Sequence, residues 1–487
     1  MKKINEIYHR VSRPIKVLQI GEGNFLRAFV DYGIDVANEE LGFNGNVAVI
    51  VPRSKRPERF ERQDNLFTVC LRGQKDGQAY KENRVVTCVE KVLSANEDYD
   101  AFMELAKLDS LEFVVSNTTE AGIVFDEADR LGDCPAKSYP AKLAKFLYER
   151  YTYFSGDKMK ALTMLPVELI EHNGTALKDC VLRYAVLWQL EEGFRRWIDQ
   201  DCIFASTLVD RIVTGYPKAE AASICAELGY EDELLDQAEP FGLWVIGDER
   251  VKERFQVASD KWHVEFTDQI DIYKERKVRI LNGAHTSMVL GAYLAGEDYV
   301  GQCMADPDVR RQLDQSVFDE IVPTVHMPQK KAEAFARAVF ERFENPFVKH
   351  ALLSISLNSI SKWKARVLPT LKDSIALHQG RLPKWLTYSF AALLAFYRTK
   401  TEGEGCLIGI RGTNEYEIHD DEDKLEFIRQ TSMLPRAEYA KAVMKRTDWW
   451  GEDLTRIPGF LSAVTKQLDS IAKHGARQHI ARLAEEA

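Results

Sequence analysis

The run Ile15-Lys16-Val17-Leu18-Gln19-Ile20 leads straight into Gly21-Glu22-Gly23, and helical periodicity begins directly afterwards. No other feature constrains the fold as much. A β-rich strand closed by one glycine, with a second glycine two residues on and a helix behind it, is how an open α/β sheet brings backbone up to a phosphate. Gly21 permits the sharp turn and Gly23 allows close approach to a pyrophosphate. The helix start then offers unpaired N–H groups and a partial positive charge. The candidate cofactor-binding positions are therefore Ile20, Gly21, Glu22, Gly23, Asn24, Phe25, Leu26, Arg27 and Ala28. Leu26 stands where G-x-G-x-x-G has its third glycine, and small Ala28 lies two residues on.

The surrounding pattern agrees with that junction. Val47 to Val51, Leu111 to Val115, Ala161 to Leu165 and Ile203 to Ala205 are further short apolar runs, with helical segments such as Ala28 to Leu41 between them. Near-continuous apolar strands alternating with helices predict a parallel sheet covered on both faces. From about Lys277 the character changes. Val309 to Ile321, Gln329 to Phe343, His350 to Leu371 and Leu386 to Arg398 repeat at helical spacing. The expected organisation is an α/β dinucleotide-binding domain over 1–270 and a mainly α-helical substrate or catalytic domain over 271–487. Thr401 to Asp423, rich in Gly, Glu and Asp, reads as a surface loop.

Composition removes several function classes. Lys and Arg total 65 against 75 Asp and Glu, a net charge of −10 over 487 residues, so a nucleic-acid partner, which needs a basic face, is not expected. The longest apolar run, Tyr388 to Tyr397, is half of the roughly 20 residues a membrane span requires, so no membrane partner is expected either. The charged start has no apolar segment behind it, and the eight cysteines show no C-x-x-C pairing. A cytoplasmic chain with reduced thiols is the expectation. The other histidines show no metal-ligand spacing. The run His419 to Asp423 reads as a solvated loop or, less simply, a metal site.

Lys277, Asn282 and His285 lie on a helical run. At about 100° per residue, Asn282 falls about 140° from Lys277 and His285 about 80° from it. All three could face one site, where a proton donor and neutral hydrogen-bond donors would serve carbonyl reduction. K-x-x-x-x-N-x-x-H behind a dinucleotide-binding half resembles the mannitol dehydrogenase family of polyol-specific long-chain dehydrogenases. GEGNFLRAF, SNTTEAG at Ser116 to Gly122, PVELIEHNG at Pro166 to Gly174, TLVDRIVTGYP at Thr207 to Pro217, KERKVRILNGAHT at Lys274 to Thr286 and WGEDLTRIPG at Trp450 to Gly459 extend the resemblance over the chain. They point to a branch acting on sugar acids.

That resemblance implies a Rossmann-type N-terminal domain, a nicotinamide cofactor, no metal, and interconversion of D-tagaturonate and D-altronate. It makes Lys277 the general acid/base, with Asn282 and His285 as carbonyl-binding partners. Asn117, Thr118 and Glu120 fall near the nicotinamide or substrate, and Asp210 and Arg211 match an Asp-Arg pair near the substrate. Lys362, Arg366 and Arg211 are the candidates for holding a substrate carboxylate; His350 is a weaker site candidate. Leu169, beside Glu168, stands where mannitol dehydrogenases have an active-site asparagine, which disfavours a mannitol-type contact. The second strand ends in Pro52-Arg53-Ser54-Lys55-Arg56 instead of an acidic residue, so this basic cluster is either a solvated loop or a holder of the 2′-phosphate of NADP; NAD is the expected cofactor. The alternatives are a fructuronate reductase, a hexitol 2-dehydrogenase, and a non-catalytic NAD-sensing protein.

Overall fold

A computed structural model describes residues 1–53, 57–75, 77–118, 122–347 and 349–485. The chain divides into two compact units, Met1–Ile270 and Asp271–Ala487.

The first unit is built on six strands: β1 (Ile15–Ile20), β2 (Asn46–Val51), β3 (Val89–Ser94), β4 (Phe113–Ser116), β5 (Thr163–Pro166) and β6 (Ile203–Phe204). They are all parallel, in the order β3-β2-β1-β4-β5-β6, the doubly wound arrangement of dinucleotide-binding folds. Side chains alternate between faces along each strand. Val17, Val47, Val49, Val51, Phe113 and Val115 join the core that holds Phe29, Tyr32, Trp244 and Trp262. Leu18, Ile20, Ala48, Ile50 and Val114 join the opposite core, with Phe146, Leu177 and Val181. Burial on both faces is why these strands read as unbroken apolar runs. β3 (VEKVLS) was missed because its exposed Lys91 and part-exposed Glu90 and Leu93 break the run at the sheet's edge. Besides the short pairing of Lys2–Lys3 with Tyr230–Glu231, the unit has two larger further sheets among the described residues. One joins Phe67–Lys75, Gln78–Val86, Val213–Gly215 and Asp236–Ala238; the other joins Thr207–Asp210, Leu243–Ile246 and His263–Phe266.

The second unit is mainly helical. Gly283–Ala295 is apolar almost all round and lies buried among Lys384–Tyr397, Leu352–Ile355, Ser359–Arg366 and Ala476–Glu485. The loop expected over 401–423 is a correction. Thr401–Gly403, Cys406–Arg411 and Asn414–Ile418 form a three-stranded antiparallel sheet, and Glu422–Thr431 is a helix. Cys406, Leu407, Tyr416 and Ile418 are buried, and that alternation was diluted in the sequence by glycines and acids. Among the described residues no helix is long and apolar enough to cross a membrane.

Candidate active site

The β1 turn is shaped around bare backbone. Gly21 has φ +116°, and a Cβ there would lie 2.9 Å from the Asn117 carbonyl oxygen, so only glycine lets β1 and the end of β4 meet. Among the described residues a Cβ on Gly23 would meet nothing within 4 Å, so its backbone is open there. The helix begins at Asn24 with Gly23 as its cap, and no side chain caps it. Open space in front of uncapped N–H groups fits a pyrophosphate.

The candidate run does not all face that space. Gly23 and Asn24 are exposed, and Glu22 and Phe25 are half-buried, but Ile20, Leu26, Arg27 and Ala28 are buried. The Arg27 side chain points inward. Its guanidinium donates to the Leu234 carbonyl (2.5 Å) and Asn24 Oδ1 (2.6 Å), and lies 3.5 Å from buried Asp236, so it braces the unit from within. The helix then widens into a π-turn over Arg27–Asp31.

At the carboxyl end of β4, buried Glu168 accepts hydrogen bonds from Ser116 Oγ (3.0 Å), Thr118 N (3.1 Å) and Thr118 Oγ1 (3.0 Å). Thr118 is thus held by Glu168, while Asn117 is half-buried at the strand end. Glu120 lies outside the described residues, as do Lys55 and Arg56 of the basic cluster; Arg53 is exposed. Asn173, which residue spacing did not single out, ties this edge together. Its Nδ2 donates to the carbonyls of Pro166, Glu168 and Thr207, and its Oδ1 accepts from Gly174 N and Thr207 N. Leu169, next to Glu168 in the chain, is 67% exposed.

Arg211 also lies inside the first unit. It is buried, and each of its three nitrogens donates to backbone: Nε to Phe241 (3.0 Å), Nη1 to Ala28 (2.7 Å) and Nη2 to Pro240 (3.1 Å). Its plane lies over the Tyr32 ring, 4.9 Å from the centroid. Asp210 beside it is buried as well.

In the second unit, Lys277 to Asn282 form a π-turn between the helices Ile270–Arg276 and Gly283–Ala295. The α-helical angles expected above therefore do not apply. A π-turn bonds residues five apart, so Lys277 and Asn282 come round to one side, where regular α spacing would separate them. Such turns recur at functional sites. Lys277, Asn282 and His285 are all half-buried.

The His285 ring stacks on Phe343 (centroids 4.1 Å apart) and meets His350 edge-on at 5.3 Å. Among the described residues its buried Nε2 has no hydrogen-bond partner. Burial first, then the charges of His350, Arg342, Arg366 and Lys362, hold it well below the usual histidine range, so the imidazole is neutral. Lys362 and Arg366 lie one turn apart on Ser359–Arg366, half-buried, and burial lowers both. Lys362 donates to the Ile355 carbonyl (2.9 Å), and Arg366 reaches Thr286 Oγ1 at 3.5 Å. Among the described residues neither forms an ion pair. The carboxylate that Lys362 senses, Asp420, is taken by Tyr397 Oη (2.7 Å) and Lys424 (3.1 Å).

Two family models match consecutive parts of the chain: the mannitol dehydrogenase Rossmann domain over residues 15–259 and the mannitol dehydrogenase C-terminal domain over 269–472. The chain belongs to the mannitol dehydrogenase family. Within it, the chain is 42% identical to the altronate oxidoreductase of Yersinia enterocolitica over 481 residues, 96% of this chain and 97% of that one. It is likewise 42% identical to that of Klebsiella pneumoniae over 476 residues, 96% of each. Two solved family-like folds cover 99% of the chain. Pseudomonas fluorescens mannitol 2-dehydrogenase, in ternary complex with NAD and D-mannitol, has TM-score 0.66 at 22% identity over 96% of its own chain. A D-sorbitol dehydrogenase in substrate-free form has TM-score 0.76 at 19% identity over 100% of its chain. At that identity the likeness extends to the fold. The first unit is accordingly a Rossmann domain, the type that takes a nucleotide cofactor.

Proposed function

We propose that this protein is an NAD-dependent oxidoreductase that interconverts D-tagaturonate and D-altronate, a reading supported by its 42% identity to altronate oxidoreductases over 96% of its length. When bound, the nicotinamide supplies or accepts the hydride. Gly21, Gly23 and the helix start at Asn24 would hold its pyrophosphate, with Asn117 and Thr118 at the end of β4 as further candidates to contact the cofactor. In reduction, Lys277 gives a proton to the oxygen of the former ketone; in oxidation it takes that proton back. Asn282 and neutral His285, through Nε2–H, donate hydrogen bonds to the same oxygen and stabilise the charge that develops there. A neutral imidazole suits this role because it polarises the carbonyl without competing with Lys277 for the proton.

The observation that favours a sugar acid over a hexitol is the pair Lys362 and Arg366. Two partly desolvated cations beside His285, with no carboxylate partner among the described residues, leave a place for an anion. A keto-uronate brings one and a polyol does not. Side-by-side NADH consumption with tagaturonate, fructuronate and fructose tests the reading. Tagaturonate should give the highest kcat/KM, and turnover of fructose at an equal rate would favour the hexitol dehydrogenase. NADPH in place of NADH tests the cofactor, and a preference for it would make the basic cluster after β2 a 2′-phosphate holder.

A further inference from the structure

The three-stranded sheet of the second unit carries a group of side chains that the proposed reaction does not use. In the ladder between Cys406–Arg411 and Asn414–Ile418, Leu407 faces Ile418 and Ile408 faces Glu417. One step further, Cys406 stands opposite His419. Glu417 and His419 are two residues apart, so their side chains leave the same face, and the register delivers a thiol, a carboxylate and an imidazole together. Their ligating atoms all lie within 4.8 Å of one another. His419 Nε2 and Glu417 Oε2 are 2.8 Å apart. A Cβ at Gly403, the residue paired with Cys406 on the third strand, would lie 2.7 Å from Cys406 Sγ. The thiol thus occupies the space that only glycine leaves free.

From this arrangement we infer that Cys406, Glu417 and His419 form a binding site for a zinc-like divalent transition metal, separate from the proposed reaction centre. A thiolate with an imidazole and a carboxylate is a donor set for Zn²⁺ rather than for Mg²⁺ or Ca²⁺, which take oxygen ligands. Bonds of about 2.0–2.3 Å bring tetrahedral donors to about 3.5 Å apart. The exposed Glu417 side chain and half-exposed His419 can close that gap, while Cys406 is fixed in the sheet. Binding replaces the His419–Glu417 hydrogen bond with two metal bonds and releases the Cys406 thiol proton to solvent. Three protein ligands leave a fourth position for water. The ion would also tie down the backbone at 419–420. There the His419 carbonyl accepts from Asn358 N (3.0 Å) and Asp420 Oδ2 from Ile360 N (3.3 Å), at the start of the helix carrying Lys362 and Arg366. The ligands come from two strands, which is why histidine spacing alone gave no metal signal.

The test is a titration of the chelator-treated full-length protein with Co²⁺ and then Zn²⁺, in a Cys134→Ser background because Cys134 is the exposed thiol among the eight. One Co²⁺ per chain should bind with thiolate-to-cobalt charge-transfer absorption, and Zn²⁺ should displace it. Cys406→Ser and His419→Ala should each weaken binding at least about 100-fold, and Glu417→Gln about 10-fold, since even outer partners of metal ligands are worth that range. Should Cys406→Ser fail to fold, His419→Ala, at a surface position, carries the test. Absence of the charge-transfer band, or unchanged Co²⁺ affinity in the variants, would overturn the inference.

Discussion

Arg211 and Arg366 are both arginines that the sequence offers as carboxylate anchors, and their surroundings separate them. Arg211 spends its donors on the carbonyls of Ala28, Pro240 and Phe241, segments far apart in the chain, so no local pattern could reveal that it is a brace. Arg211→Ala should leave those buried carbonyls unpaired and cost on the order of 3 kcal/mol. It should show in thermal unfolding and leave the KM of the remaining folded enzyme near normal. Arg366→Ala and Lys362→Ala should do the reverse, raising KM for tagaturonate about 10- to 100-fold while changing that for an uncharged ketose little; equal effects on both substrates would remove the carboxylate assignment. Lys277 is argued at the same scale. Lys277→Ala should lower turnover about 10²-fold or more in both directions and still quench on NADH binding like the parent protein. A variant with normal kcat would hand the acid/base role to another residue.

At the scale of elements, the strands of the parallel sheet were legible because burial on both faces writes an apolar run into the sequence, as in Asn46–Val51. The helical stretch through Lys277 was legible too, but its winding was not. A π-turn depends on which carbonyl each N–H finds, and side-chain periodicity over six residues does not distinguish it from an α-turn. The consequence can be tested by length rather than by chemistry. Inserting an alanine after half-buried Val278 in the turn Lys277–Asn282 would space Lys277 and Asn282 six apart, more than an α-turn or a π-turn closes, and rotate Lys277 away from Asn282 and His285. All three residues would still be present. Far-UV circular dichroism should be unchanged while kcat falls about 10²-fold, the cost of misplacing a reacting group by an ångström or so. Retained activity would mean that the turn does not set the alignment of the three residues. Gly21→Ala makes the complementary point in the first unit. It places a Cβ 2.9 Å from the Asn117 carbonyl at φ +116°, so NADH affinity and stability should drop together.

Across the whole molecule, the alternation of strands and helices and then helices alone was readable in the order of the sequence, because each unit is built from a continuous part of the chain. What could not be read is which acids end up away from water, and these tie stability to pH. Asp31 is buried in the first unit, and burial raises it to about 7 against hydrogen bonding from Gln19; among the described residues its Oδ1 has no partner. Glu320 is buried in the second, where it accepts from Trp385 N (2.9 Å) and Leu386 N (2.8 Å), and burial again takes it to about 7. Each carboxyl holds its proton more tightly folded than unfolded, so its contribution is full below the unfolded value near 4 and is lost as pH rises through 7. Neutral His285 acts in the opposite sense, since below its unfolded value near 6.5 the unfolded chain takes up a proton that the folded one refuses. The overall profile therefore mixes both signs, but a difference between variant and parent isolates one group. Asp31→Asn should match the parent near pH 4 and exceed it above pH 7 by up to a few kcal/mol, at about 1.4 kcal/mol per pH unit of displacement. Glu320→Gln should follow the same course. The measurement is unfolding of each protein at a series of pH values from 4 to 8, and a stability difference that stays constant across that range would show that the carboxyl is ionised in the fold throughout.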